Sequence, residues 1–541
     1  MTRALSSFLL LIGLPASIAG CGLILGLDEF VDAPAGAGAG GGAGSGSACE
    51  PGETRDCYSG PEGTQGVGLC RAGHQQCTDE TATFGACEGE VLPATEECTV
   101  RGDEDCDGNP CSDALWAKLY GDAEYQEPYA VATDKDGNIY VAGSFAGYIH
   151  FTGVPLTAGD AGNAFLVKFA PSGKPIWSRR FGESGSHVAR TLAVDPEGNV
   201  IVAGSFTGSM NLGGGSLFSA GQSDLWIAKF NPEGAHVWSG RFGDASSQAE
   251  IRVAVDPAGD ITLAGRFEGT INFGTGDLVN SSGIGTDVFV AKLHGDGVAL
   301  WSKRFGDSNT EYLNALAVDP EGSVYIGGQL HGTVSFGGPP LSGSPAIYLA
   351  KLDAFGAHLW SKTFGVTGFM AAIWGLAVDP GGDVIASGTF NNSLDFGTFQ
   401  ISQPASFEDM FVFKLSSTGE YRWAKVFGSH ATDGARMVRV GPAGEILFAC
   451  WINDSIAFGG PVLETSGSTQ GLAKLSPEGD HLWSKIVGVG APNAFMLKDM
   501  AVDPSSGDVV LVGSQQAEAD YGLGPLTPAG GFDILVAKLA R

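Results

Sequence analysis

Asp103-Glu104-Asp105-Cys106-Asp107-Gly108 is the segment whose spacing comes closest to chemistry. Carboxylates at Asp103, Asp105 and Asp107, followed by a glycine that permits a sharp turn, can aim oxygen ligands at one calcium ion. Asp113 is close enough in sequence to join them. The position where a bidentate glutamate would close the shell is Ala114. Two readings stand: a calcium site on Asp103, Asp105, Asp107 and Asp113, or a solvated acidic turn stapled by Cys106. Calcium is the one cofactor these residues suggest.

The cysteines come next. Cys49, Cys57, Cys70, Cys77, Cys87, Cys98, Cys106 and Cys111 are eight in 63 residues. Their number is even, and large apolar residues are too few there for a core, so four disulfides are expected. The 105 connectivities cannot be separated from sequence. Zinc would favour Cys-x-x-Cys pairs, and this segment has none.

Other reactive side chains form no catalytic set. His236, His358 and His481 each stand two residues before a tryptophan, so they mark a repeated structural slot. Lys168, Lys229, Lys292, Lys351, Lys414, Lys474 and Lys538 are likewise in register. They are expected on a solvated or interblade edge with packed stems. Gly-x-Ser-x-Gly, His-Glu-x-x-His and Walker-type sequences do not occur. Cys450 replaces a glycine in a strand and reads as a buried thiol used as a small hydrophobe.

The elements that hold these residues follow from a repeat. Trp116, Trp177, Trp238, Trp301, Trp360, Trp423 and Trp483 are spaced by 61, 61, 63, 59, 63 and 60 residues. A fixed period marks one supersecondary unit copied seven times. Residues 192–204 read as a hairpin around Asp195-Pro196-Glu197-Gly198, where proline presets φ and glycine takes φ > 0. Asp256-Pro257, Asp319-Pro320, Asp379-Pro380 and Asp503-Pro504 repeat it; Asp134-Lys135 and Gly441-Pro442 are variants. A loop with Asn-Phe-Gly (272–274) or Ser-Phe-Gly (335–337) leads to a lysine-bearing third strand, then to the tryptophan strand. That loop makes the unit longer than common blades and has room for an extra β element.

The order of the pieces predicts closure. The first tryptophan strand, from Leu115 to Tyr120, has no hairpin before it, and the last lysine strand, 536–539, has no tryptophan strand after it. Together they should make one blade, the clasp by which a propeller avoids open sheet edges. The fold expected is all-β: a seven-bladed β-propeller over 112–541 with a terminal strand clasp, preceded by a small disulfide-rich module over 49–111.

The 84 glycines punctuate turns in such a fold, and the net charge of −30 repels phosphate backbones, so nucleic acid is not expected as a partner. The simplest reading of that charge is solubility. Residues 1–20 read as a signal peptide: Arg3 precedes an apolar run, 8–14, too short to span a bilayer. Ile18-Ala19-Gly20-Cys21 resembles the lipobox of bacterial lipoproteins. The resemblance implies acyl chains on Cys21 and stable membrane anchoring. Residues 21–48, rich in Gly, Ala and Ser, read as the flexible tether.

Over residues 115–541 the units resemble bacterial β-propeller repeats of SBBP type. The lipobox, tether and cysteine-rich segment ahead of them resemble exported lipoproteins of myxobacteria. Neither resemblance implies a defined reaction. The acidic segment resembles the Asp-rich calcium repeats of extracellular proteins. Residues 351–360 resemble the tryptophan-docking motif of quinoprotein propellers, here read as blade packing because the adjacent cysteine pair of those enzymes is missing. Propeller lipoproteins that scaffold outer-membrane assembly offer an architectural analogy only.

The loops after Tyr-Gly or Phe-Gly differ between copies. Asp122, Glu183, Asp244 and Asp307 follow it in four consecutive units, whereas Val366, Ser429 and Val489 take that place in the later ones, and two of those later loops are apolar, one with Phe369 and Trp374 and one with Phe495. Half of one face would be acidic and half apolar, which suits a partner with a basic and a hydrophobic part. The competing reading makes the acids turn residues and the apolar side chains core. The function expected is non-catalytic binding or scaffolding at the bacterial cell envelope, by a monomeric propeller presenting a face to a protein or glycan. The outer membrane is the expected location. A lyase- or quinoprotein-like enzyme acting at the propeller axis is the alternative.

Overall fold

A computed structural model describes residues 49–94 and 114–541, apart from 51, 62, 68, 79–82, 160, 282–284, 367–369, 397–399, 403–407 and 466. Cys21, the tether, Cys98, Cys106, Cys111, Asp103, Asp105, Asp107, Asp113 and Phe369 lie outside the described residues. Contacts divide the chain into two units: residues up to 59 with 72–90, and 60–71 with 91–541.

In the first unit, Thr54–Cys57 pairs antiparallel with Gly73–Gln76. Disulfides join Cys49 to Cys77 and Cys57 to Cys87. Cys70, which belongs to the second unit, is disulfide-bonded as well. Among the described residues of the first unit the buried apolar side chains are Cys49 and Cys77, so its cross-links supply the restraint that a core cannot.

The second unit is built of strands, and no helix occurs among the described residues. Seven of its sheets have a four-stranded core. The first runs Gln126–Thr133, Ile139–Phe145, Asn163–Phe169, Pro175–Phe181, hydrogen-bonded in that order. The same order starts again at His187, Gln248, Tyr312, Ala371 and Gly434. The seventh sheet takes Phe495–Val502, Val509–Gln515 and Asp533–Leu539 from the far end of the chain, and Ala114–Tyr120 completes it. Trp116 there pairs with Lys538 and Tyr120 with Ile534.

The sequence explains each layer. In the second sheet the hairpin turn is closed by Asp195, whose carboxylate accepts from Asn199 N at 2.8 Å, and by Gly198 at φ 85°. Third strands such as Asp224–Phe230 are buried at every position, because neighbouring sheets cover both faces. The long loop holds the extra β element: Thr270–Asn272 pairs with Asp277–Val279, and equivalent hairpins recur. Phe273 of that loop packs on Phe289 of its own sheet at 5.0 Å and on Phe242 of the preceding sheet at 4.7 Å.

Each sheet's first strand touches the first strand of the next, and Phe495–Val502 touches Gln126–Thr133. Where six of these inner strands end at their hairpin turns, a cavity of about 540 Å³ is lined by Thr133, Val194, Val255, Val318, Val378 and Val440, one from each of six sheets, with Asp134, Asp195, Asp256, Asp319 and Asp379 beside them.

Candidate functional site

The residues that repeat are used up by the scaffold. Each in-register lysine is buried or nearly so and paired with a carboxylate of its own hairpin turn, not on a solvated edge. Lys292 reaches Asp256 at 2.7 Å, Lys414 reaches Asp379 at 2.6 Å and Lys538 reaches Asp503 at 2.8 Å. In the sixth sheet, where Gly441 replaces the turn aspartate, Glu445 supplies the carboxylate to Lys474 at 3.0 Å. Several ammonium groups also donate to a carbonyl of the following sheet, as Lys229 does to Gly295 O at 3.0 Å. Burial disfavours the charge of Asp503, but bonds from Lys538 and Ser505 outweigh it and hold its pKa at about 2.

The tryptophans fasten one sheet to the next. Trp116 donates from Nε1 to Pro171 O at 3.0 Å, Trp238 to Gly295 O at 3.1 Å and Trp423 to Pro477 O at 3.1 Å. The repeated histidines are structural as expected: His236, His358 and His481 each meet a serine hydroxyl three residues on, at 3.0, 3.0 and 3.1 Å. Cys450 is a free thiol buried in the core.

The acidic half of the expected face is a set of staples. Asp122 accepts from Glu124 N and Tyr148 N, both at 2.8 Å. Asp244 accepts from Ser246 N at 2.8 Å and Thr270 N at 2.7 Å, and Asp307 from Asn309 N at 2.6 Å and Thr333 N at 2.9 Å. Each carboxylate caps its own turn and pins the small hairpin 26 residues on. Partial burial opposes the charge of Asp244 and Asp307, yet these bonds hold both below the ordinary aspartate value. Glu183 is exposed; its carboxylate accepts from Ser216 Oγ of the small hairpin at 2.9 Å and from no backbone N–H, while its own N donates to Ser209 O at 3.0 Å. Phe495 is 3% exposed and packs against Tyr521, so it belongs to the core and not to a binding face. Local backbone donors compete for a carboxylate that follows glycine, and that competition decides these positions.

Trp374 is different. It is 39% exposed and lies on an inner strand. Every inner strand carries a β-bulge. In six sheets the extra residue falls at one matching position: Tyr129, Arg190, Asn314, Trp374, Arg436 and Lys498. In the third sheet it is Ala249, earlier in the strand. A bulge bends its strand and can re-aim a side chain, and each of these strands is the edge strand of its sheet, so one edge is unpaired.

Neighbouring inner strands use some of these groups to satisfy that edge. Asp499 accepts from Val131 N at 3.0 Å, Arg252 donates to Asn314 O at 3.2 Å, and Asn314 donates to Ile373 O at 3.1 Å. Two cations are neutralised: Arg439 by Asp499 at 2.5 Å and Lys498 by Glu127 at 3.2 Å. Arg190 and Arg436 pair with no carboxylate among the described residues. Arg190 lies over Tyr129 at 5.6 Å, and its Nε is buried without a partner. Arg436 lies over Trp451 at 4.6 Å and Trp374 at 6.0 Å, and burial pulls its pKa down. Of this ring, only Trp374 stood among the sequence candidates. The others were detectable as positions where aligned copies of the first strand disagree in type.

The SBBP β-propeller repeat family matches residues 115–144. This defines the repeat type. A WD repeat-containing protein, L264, of Acanthamoeba polyphaga mimivirus is 23% identical over 426 residues, 63% of this chain and 30% of that protein. The regulatory protein FlaEY of Caulobacter vibrioides is 24% identical over 311 residues, 52% of this chain and 32% of its own length. The chain thus spans about a third of these curated relatives. Among solved structures, Sqt1 from Chaetomium thermophilum overlays 80% of this chain and 99% of its own at 12% identity, with a TM-score of 0.41.

Proposed function

We propose that this chain is a non-catalytic binding protein of the bacterial cell envelope, a closed seven-bladed β-propeller that engages its partner at the axial mouth. The observation that carries the reading is the ring of bulged inner-strand residues. Repeat-invariant groups are consumed by packing and pairing, whereas Tyr129, Arg190, Trp374, Arg436 and Lys498 differ from copy to copy and border the axis. The SBBP repeat, the seven four-stranded cores and the pairing of Ala114–Tyr120 with Asp533–Leu539 support the closed ring. Envelope anchoring rests on the Cys21 motif, and calcium on Asp103, Asp105, Asp107 and Asp113. Palmitate-analogue labelling lost in Cys21→Ser supports the anchor; undiminished label refutes it. Calcium titration of the full chain compared with Asp105→Asn tests the metal, and absence of calcium-dependent heat at millimolar metal removes it.

A photo-crosslinking amino acid at position 374, compared with one at the exposed Phe218, tests the mouth directly. A saturable adduct in native envelopes from 374 and not from 218 supports the reading. Equal labelling from both positions, or none from 374, contradicts it.

A further inference from the structure

The inner strands carry more cations than carboxylates in a strongly acidic chain. The seven inner strands carry Arg190, Arg252, Arg436, Arg439 and Lys498 against Glu127, Glu250 and Asp499, while the whole chain has a net charge of −30. Glu127 and Asp499 are taken by Lys498 and Arg439. Glu250 is taken by Arg266 of the adjoining strand, its Oε2 receiving from Nε at 3.0 Å. Three guanidinium groups make no ion-pair contact with a carboxylate among the described residues, namely Arg190, Arg252 and Arg436, although the charge of Glu127 acts on the first and those of Glu250 and Asp499 on the second. Arg252 spends its donors on Asn314 O and Ile251 O, both at 3.2 Å. Arg190 and Arg436 keep unspent capacity.

Arg436 is the better-formed receptor. Its exposed guanidinium lies over the Trp451 ring at 4.6 Å and near the Trp374 ring at 6.0 Å, contacts that use none of its N–H donors. The Trp374 indole is itself fixed, because Nε1 donates to Thr389 Oγ1 at 3.1 Å, yet 39% of the residue stays exposed. A flat apolar ring beside a fork of free donors matches a ligand with a C–H-rich face and an in-plane carboxylate.

We propose that the mouth binds an acidic sugar, with Arg436 pairing the carboxylate bidentately and Trp374 packing on the sugar ring. This rests on the axial-mouth reading above and names its ligand class. A polyphosphate would meet the field of the acidic body, whereas a single uronate meets the local cations first. Arg190 supplies a second positive charge to the mouth from the second sheet, and a fork of this kind favours a planar carboxylate.

The test is calorimetric titration of the full chain with digalacturonate, digalactose and a tetraglutamate peptide. Digalacturonate should bind, and digalactose should bind about tenfold more weakly or less, as loss of a hydrogen bond to a charged group implies. Arg436→Gln and Trp374→Leu should each weaken digalacturonate about tenfold at unchanged melting temperature. Arg436→Lys should recover only part, because it keeps the charge and loses the fork. Silence with digalacturonate, equal binding of digalactose, tetraglutamate binding alone, or full affinity in a folded Arg436→Gln variant each overturns the proposal. If digalacturonate is silent while position 374 still gives a saturable adduct, only the ligand class falls. If both are silent, the mouth reading falls with it.

Discussion

Trp301 of one repeat lies over Gly356 of the next, and its Nε1 donates to Ala354 O at 2.9 Å. The contact is possible because Gly356 has φ +79° and no side chain; a Cβ there would come within 3.0 Å of the indole. Gly356→Ala should destabilise the sheet region by about 1–2 kcal/mol, and Trp301→Ala by about 3–5 kcal/mol. Urea unfolding checks both. An effect within about 0.5 kcal/mol for either, the range of ordinary surface changes, would remove the wedge from the account.

Lys292 and Asp256 form an ion pair at 2.7 Å with side chains 2% and 3% exposed. Lys292→Met strands a buried carboxylate and should cost about 3–5 kcal/mol. Adding Asp256→Asn should recover most of it, since the amide oxygen still accepts from Ala258 N and Asp260 N, both at 3.0 Å. A double variant no more stable than Lys292→Met would show that packing, not charge, dominates.

Asp244 and Glu183 stand at the same place in the sequence and do different work. Asp244→Ala removes two backbone bonds and should cost about 1–3 kcal/mol, while Glu183→Ala should stay within about 0.5 kcal/mol. Equal melting shifts for the two would contradict the staple assignment.

Glu311 takes the place held by Gln126 and Gln248, whose Nε2 groups donate to Asp122 at 2.5 Å and to Asp244 at 3.2 Å. A carboxyl group can donate to Asp307 only when protonated. Burial, then the charges of Asp307 and Asp287, push Glu311 from an ordinary 4.5 up to about 8, and its Oε1 has no partner. Arg304 is spent on Asp287 at 2.5 Å. Because the folded value is raised, the stability from this proton is full below about pH 4.5 and is lost as pH rises through about 8. Glu311→Gln should match the parent at pH 5 and exceed it by about 1–2 kcal/mol at pH 9. Parallel pH profiles would refute a protonated Glu311.

The sequence made the architecture legible because one period fixed both strand order and the exchange of the terminal strand. Trp116 without a preceding hairpin predicted its pairing with Lys538, and the long Asn-Phe-Gly loop predicted an extra β element. Burial of charge was not legible. Lys292 alternates with apolar neighbours as a solvated edge residue would, and only the fold brings Asp256 beneath it. Asp244 was open to two readings, binding-face acid or turn residue; the turn reading holds, and its second donor, Thr270 N, was hidden because it is a backbone group 26 residues away. Aligned copies show Arg190 and Arg436 as positions of variable type, but a β-bulge is invisible to a two-residue period, so that variation could not be placed on the inner strands' bulges.

An axial mouth exists only if seven sheets close into one ring, and Ala114–Tyr120 is the strand that closes it. Amide hydrogen exchange of the full chain with residues 114–120 deleted tests this most directly. Closure predicts that protection falls in Tyr312–Val318, on the far side of the ring from the deletion, and that the whole region melts at a lower temperature in one transition. Protection unchanged in that strand, with loss confined to Asp533–Leu539 and its neighbours, would contradict a closed ring.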